Sequence, residues 1–297
     1  MKRIILIIAL VSLTNPLLSQ IATYYTNDKG QRHLCGPFEV QVLETDSTYQ
    51  KWFKSRYNEF IPGIQKAKWA KNLSDVEVDI YLGTWCGDSK KWVPKFVKIW
   101  DELGLDRSQL FTIGLYDSQD GKSVYKQGPN GEEKGRNIHR VPTFIFKREG
   151  KEIARIVEYP NNDLETDLAQ IALGFPSRSN YRGAAYMLDL FQNSKMSEIE
   201  ANKTEHFYAV YRLIKGNPSE LNTLGYVLLE AGKIEEALLV FYFNTRYFQH
   251  NPNVHDSYAE ALVKDGQIEK AIETYEKVLL LDRNNANASQ QIEKLKT

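Results

Sequence analysis

The residues that could do chemistry lie together in VEVDIYLGTWCGDSKK, residues 76–91, and the reactive group among them is the thiol of Cys86. Val76, Val78, Ile80 and Leu82 alternate with Glu77, Asp79 and Tyr81, the period of a strand rich in β-branched residues. After it Trp92, Phe96, Ile99, Trp100 and Leu103 recur every three to four residues, the period of an amphipathic helix. Cys86 therefore falls at a strand-to-helix junction. Unpaired backbone N–H groups and the positive end of the helix dipole favour a thiolate over a thiol at such a place. Lys90 and Lys91 add to that effect, and Asp88 opposes it. Gly87 and Ser89 complete the first turn. The chemistry open to such a thiolate is nucleophilic attack on a disulfide.

WCGDS resembles the WCxxC active-site motif of thioredoxin-like proteins, and the resemblance runs from about Leu73 to Gly174. Pro94 is similar to the proline that kinks the helix after the motif. Downstream, NIHRVPTFIFKREGKEIARIV resembles the segment in which a cis-proline precedes a hairpin. Here that is Val141-Pro142-Thr143, a strand over 144–147, a turn at Glu149-Gly150 and a strand over 152–157. The resemblance implies a thioredoxin-like α/β fold, a central mixed sheet flanked by helices. It also implies that Pro142 lies beside Cys86, with the backbone of Val141 open to an incoming peptide. The candidate substrate-binding residues are Trp85, Val141, Pro142 and Thr143, with Trp85 read as a surface platform for substrate backbone because its strand neighbours already supply the core.

Two departures from the family limit what can be carried over. Ser89 stands where dithiol members have their second cysteine, and a hydroxyl cannot resolve a mixed disulfide. Ile80 stands where they have a buried acid, while Asp79, one place off, points to the other face of the strand. Dithiol reductase chemistry is therefore not expected from this motif alone. Monothiol glutaredoxins, which use a CxxS site to hold an iron–sulfur cluster, are not matched by Trp85 and Asp88. No metal and no other cofactor is expected.

The chain has 297 residues, 42% of them hydrophobic, enough for two domains each with its own core. Its 38 basic and 38 acidic residues balance, so nothing points to nucleic acid. Lys2 and Arg3, the apolar run from Ile4 to Leu13, then Pro16 and Ser19 read as a signal peptide over 1–19. The run is too short to span a bilayer. The expected location is the periplasm or the exterior, with no membrane span after cleavage; a retained anchor is the other reading. Export makes one disulfide feasible, between Cys35 and Cys86. Cys35 reads either as a small buried thiol or as the thiol that resolves Cys86. Phe38, Val40 and Val42 alternate after it as a strand.

Residues 20–72 read as an N-terminal extension of the thioredoxin-like domain, 73–174. Within it, 20–35 is a polar extended lead-in and 45–60 a helix capped by Asp46 or Ser47, with Tyr49, Trp52, Phe53 and Tyr57 on one face. A short helical segment follows over 64–73. Gly104 ends the helix after Cys86, and 110–116 is a strand parallel to the first. The stretch 117–136 is a polar loop, either a specificity loop or a solvated insertion. His139 reads as a loop residue or as a partner that lowers the thiol's pKa. Residues 162–173 form a closing helix with Leu164, Leu168 and Ile171 inward.

FPSRSNY, 175–181, reads as a linker, and after it no strand signal returns. Helices are expected over 184–192 and 197–215. AGKIEEAL at 231–238 then recurs as DGQIEKAI at 265–272, a period of 34. That period resembles the tetratricopeptide repeat, in which helical pairs must stack to bury their apolar faces. Units 218–251 and 252–285 place Leu224, Gly225, Leu228, Ala237 and Phe241, then Tyr258, Ala259, Leu262, Ala271 and Tyr275, at the packing positions. A capping helix over 287–296 closes an all-α domain, 182–297.

Two functions stay open. One is a monothiol thiol–disulfide oxidoreductase or isomerase acting on protein clients through Cys86, released by a partner dithiol or a small thiol, with the repeats binding protein. The other is a non-catalytic scaffold for protein–protein interaction on the same fold.

Overall fold

The computed structural model describes residues 22–64, 67–117 and 125–296. The signal-peptide reading of 1–19 and part of the 117–136 loop lie outside them. The first half of the chain builds one mixed sheet with flanking helices, and the second half is a helical, repeat-like region.

The centre of the sheet is β3, Val76–Leu82, the strand expected from its alternation. Val76, Val78, Ile80 and Leu82 face the main core, and Tyr81 faces a smaller apolar cluster on the opposite side with Ile113, Leu115, Ile138, Val141 and Ile145. Asp79 is buried on that opposite face, where the Lys147 ammonium neutralises it at 2.7 Å. The chain then enters α3, Gly87–Glu102, whose Val93, Phe96, Val97, Ile99 and Trp100 are buried. Gly104, at φ +71°, ends it in a left-handed turn that only glycine adopts without cost. The crossover returns as β4, Leu110–Gly114, parallel to β3.

β5, Thr143–Arg148, and β6, Lys151–Val157, form an antiparallel hairpin on the other side of β3. Its turn puts Glu149 and Gly150 at φ +51° and +74°, the paired left-handed conformation whose twist matches the flanking strands. α4, Leu164–Ala172, buries Leu164, Leu168 and Ile171 in the main core. Asp163 caps it by accepting from the backbone N–H of Thr166 at 2.8 Å.

The N-terminal segment departs from the sequence reading. Residues 23–38 are not a loose lead-in but a hairpin, β1 (Thr23–Thr26) with β2 (Arg32–Phe38). β2 extends the sheet antiparallel to β4, giving the order β1-β2-β4-β3-β5-β6. The close approach depends on Gly114, where a Cβ would lie 2.5 Å from the carbonyl oxygen of Leu34. The strand also ends earlier than its alternation suggests. Val40 begins α1, Gln41–Thr45, because Val40 and Leu43, three apart, can both be buried on one helical face. The helix expected from Asp46 starts later, as α2, Gln50–Glu59. Asp46 instead turns the chain between the two helices, accepting from the Thr48 N–H and the Tyr24 hydroxyl. Residues Lys68–Leu73 form a 3-10 helix.

The helical region comprises α5 (Arg182–Asn193), α6 (Met196–Ala201), α7 (Lys203–Leu213), α8 (Ser219–Glu230), α9 (Ile234–Tyr247), α10 (Pro252–Lys264), α11 (Ile268–Leu281) and α12 (Ala286–Lys296). The single helix expected over 197–215 is broken at Asn202 into α6 and α7. The 34-residue period is present in the backbone itself. Gly232 and Gly266 end α8 and α10 at φ +73° and +78°. The next residue in each case, Lys233 or Gln267, donates its N–H back to Leu228 or Leu262 at 2.9 Å. Within the first pair a Cβ on Gly225 would lie 2.5 Å from the Phe241 ring. Gly225→Ala is therefore expected to destabilise the protein by about 1–3 kcal/mol through overpacking, measured as a lowered midpoint in urea unfolding.

Candidate functional site around Cys86

Cys86 is the N-cap residue of α3, in extended conformation at φ −80° and ψ 129°. Its N–H donates to the carbonyl of Gly83 at 2.9 Å, and its own carbonyl accepts the first helical bond from Lys90 at 3.1 Å. The thiol is partly exposed and donates to the carbonyl oxygen of Val141 at 3.3 Å. The Val141–Pro142 peptide bond is cis. Glu158 N–H donates to the Pro142 carbonyl at 2.7 Å, and the Thr143 hydroxyl donates to the Arg140 carbonyl at 2.7 Å, so this segment is tied down on both sides.

Ser89 is fully buried, and its hydroxyl oxygen accepts from the Gly83 N–H at 3.2 Å. The hydroxyl therefore braces the turn that presents the thiol. Ser89→Ala should cost about 1–2 kcal/mol by leaving that amide unsatisfied, visible as a lower unfolding midpoint with Cys86 intact. Gly87 is exposed, and Asp88 and Lys90 are partly exposed beside the thiol.

Trp85 is less of a surface platform than its position suggests. It is partly buried against the Tyr81 cluster, its indole N–H donates to the Leu115 carbonyl at 2.8 Å, and its ring sits 6.1 Å from that of Tyr125. Val141, Pro142 and Thr143 are all buried, and the Val141 carbonyl is engaged by the thiol itself rather than open to a peptide.

The structure does not bring Cys35 to Cys86. Cys35 is 1% exposed in β2, two strands from β3, a separation of roughly 10 Å. The Cys86 thiol is turned the other way, toward the segment ahead of β5. A disulfide needs Cα atoms within about 7 Å.

His139 is no cationic neighbour of the thiol. It is buried with its ring edge-on to that of Tyr181, and burial, with the Lys126 and Arg140 charges and against a backbone contact from Asn137, pushes its pKa down to about 3. A buried cation that the sequence reading missed, and on which the Cys86 charge acts, is Lys126. Lys126 is only 4% exposed, at φ +57°, and its backbone pairs with Tyr116. Its ammonium donates to the His139 carbonyl at 3.0 Å and lies 4.2 Å from the centre of the Tyr125 ring. Desolvation, and then Arg140, bring its pKa down to about 7, while Cys86 and Glu158 act in the opposite sense. A lysine in a loop of glycines and charges reads as solvated, and only the neighbouring Tyr125 hinted that this stretch turns inward.

A second missed group joins the site to the helical region. The Arg140 guanidinium donates to Glu158 at 3.1 Å and to the Ser219 carbonyl of α8 at 2.8 Å, and stacks 4.6 Å from the Tyr181 ring. The Tyr181 hydroxyl donates to the other Glu158 oxygen. Burial raises the Glu158 pKa, against the lowering effect of Arg140. Among the described residues no group of three His, Cys, Asp or Glu side chains could hold a metal ion, and no helix is long and apolar enough to cross a membrane.

No family model and no curated protein matches the chain. Among solved structures, the NMR structure of the second TPR domain of the human RPAP3 protein in complex with an HSP70 peptide is 17% identical. It covers 39% of this chain and 93% of its own, with a TM-score of 0.28.

Proposed function

We propose that the chain is an exported monothiol thiol–disulfide exchange protein on a thioredoxin-like scaffold. The observation that carries this reading is the Cys86 thiol at the N-cap of α3, hydrogen-bonded to the carbonyl that precedes a cis-proline. The parallel β3–α3–β4 crossover, the β5–β6 hairpin and α4 support the scaffold assignment.

In the proposed reaction the Cys86 thiolate attacks a client disulfide, forming a bond to one client sulfur while the other departs as a thiolate. No net electrons are lost or gained by the pair. Ser89, buried and bonded to Gly83, cannot attack the mixed disulfide. Release requires a second thiol, from the client or from a partner dithiol or small thiol, and this favours isomerisation or deglutathionylation. The helical region, read as tetratricopeptide-like from its 34-residue period, would hold the client near the thiol and raise its effective concentration. The face available for this lies between Met196, Lys203, Leu238, Tyr242, Tyr258 and Lys270.

Incubating Cys35→Ser protein with a disulfide-bearing protein client should yield a covalent adduct that a reducing agent dissolves and Cys86→Ser abolishes. Failure to form any adduct overturns the reading. The scaffold alternative draws support from the burial of Val141, Pro142 and Thr143. It predicts client binding that is undiminished in Cys86→Ser.

A further inference from the structure

We propose that His33 is a positioning residue for Cys86: as the neutral imidazole that carries its proton on Nδ1 it latches the turn presenting the thiol, and a second proton releases that latch. The latch acts on the turn, so it stands whether or not Cys86 exchanges with disulfides.

The turn from Gly83 to Cys86 joins β3 to α3 and is closed by the bond from the Cys86 N–H to the Gly83 carbonyl at 2.9 Å. Ser89 braces its Gly83 end from within α3. A second brace comes from the N-terminal hairpin. The Thr84 hydroxyl oxygen accepts from the Leu34 N–H at 3.1 Å and meets Nδ1 of His33 at 3.2 Å. On the far side of the ring, Nε2 lies 3.4 Å from Nδ2 of Asn27, and that nitrogen lies 3.4 Å from the Asp117 carboxylate. Asn27, His33, Thr84 and Asp117 are each at most 6% exposed. Polar groups buried to this extent must be paired donor to acceptor.

The orientation of Asn27 settles the tautomer. Its side-chain oxygen accepts from the Lys29 N–H at 3.1 Å and the Gln31 N–H at 2.9 Å. Flipping the amide would lose both bonds, so Nδ2, a donor only, is held against His33. Nε2 must then accept, the ring proton sits on Nδ1, and Nδ1 donates to Thr84. Thr84 keeps its own proton for Tyr49, whose hydroxyl donates to the Arg32 carbonyl at 3.1 Å. A second ring proton enters at Nε2 and sets donor against donor at Asn27. The imidazolium turns to the Asp117 carboxylate and gives up Thr84. The titratable groups facing His33 are Tyr25 on β1, its ring 5.5 Å away, Asp117 beyond β4 and Lys90 from α3, with Tyr49 reached through Thr84. Burial opposes the imidazolium, Asp117 favours it and Lys90 opposes it, and the balance lies below the ordinary histidine value. The latch is therefore closed at neutral pH and opens in mild acid.

The test is an NMR titration of the full chain, with the His33 ring assigned through its own backbone. At neutral pH its nitrogen shifts should report a proton on Nδ1 and none on Nε2. On acidification the amide signals of Thr84, Trp85 and Cys86 should move with the His33 midpoint, and the Leu34 and Cys86 amides should lose protection from hydrogen exchange. Asn27→Asp keeps an acceptor for Lys29 and Gln31 and puts a carboxylate oxygen where the amide nitrogen stood. His33 should then bind its second proton roughly tenfold more tightly, one pKa unit. With an acceptor on each side the imidazolium keeps Thr84, so in this variant the turn amides should stay protected while His33 titrates. A proton on Nε2 of neutral His33, or turn amides that ignore the His33 titration in the parent, overturn the proposal, and these readouts need no variant. A turn that still opens with His33 in Asn27→Asp overturns it as well. None of these readouts requires Cys86 to react, so their failure is distinct from failure of the thiol–disulfide reading.

Discussion

Lys126→Met is expected to stabilise the protein at neutral and mildly acidic pH, by roughly 3–5 kcal/mol. The folded chain holds this lysine 4% exposed with a pKa brought down to about 7, against 10.5 for the free side chain. Below about pH 7 both folded and unfolded chains carry the ammonium, and the folded state bears the full cost of keeping it out of water. As pH rises from there toward 10.5 the folded chain gives up the proton while the unfolded chain keeps it, so the unfolded state binds more protons and stability rises. Methionine fills nearly the same volume without a charge. Urea unfolding followed across this range should show stability climbing with pH in the parent protein and a flatter profile in the variant. Equal profiles would mean that the ammonium is better solvated than its burial indicates.

Arg140→Ala is expected to act in the other direction, destabilising by about 3 kcal/mol near neutral pH. Both members of the Arg140–Glu158 pair have side chains only 13% exposed. Removing the guanidinium strands a buried carboxylate and deletes the bond to Ser219 and the stacking on Tyr181. Burial already raises the Glu158 pKa, and without Arg140 it rises further. A carboxylate whose folded pKa is raised loses stability as pH climbs from the unfolded value through the folded one, and recovers it as pH falls and the group is neutralised. The deficit of Arg140→Ala should therefore shrink on acidification, and Arg140→Ala combined with Glu158→Gln should be less damaging than the single change near neutral pH. Additive losses in that double-mutant cycle would show that the two groups act separately. Because Arg140 also repels Lys126, its removal should move the Lys126 titration to higher pH.

The parts of this protein legible in the sequence are those whose signal is local. The alternation of 76–82 defines β3, the three-to-four spacing after Cys86 defines α3, and their junction makes Cys86 an N-cap. Val141-Pro142 followed by a hairpin is readable for the same reason, and so is the 34-residue period that returns as matched helix ends at Gly232 and Gly266. Where the reading went astray, the deciding contact was distant. Residues 23–38 pair as a hairpin and join the sheet because glycine at 114 lets β2 approach β4, a fact about a partner strand some 80 residues away. Asp46 turns the chain because Tyr24 and Arg32 meet it from that hairpin.

The candidate site divides along the same line. By itself the sequence determined that a single thiol would stand at a helix start with a hydroxyl three residues on, because backbone hydrogen bonding and side-chain periodicity are properties of neighbours along the chain. Only the tertiary structure decided what gathers on the segment that meets that thiol: a lysine from a polar loop bonded to the His139 carbonyl, a buried neutral histidine packed on Tyr181, and an arginine bonded to the helical region. Burial and Coulomb interaction depend on distance through space, and a lysine's spacing along the chain carries no record of the dielectric into which it will fold.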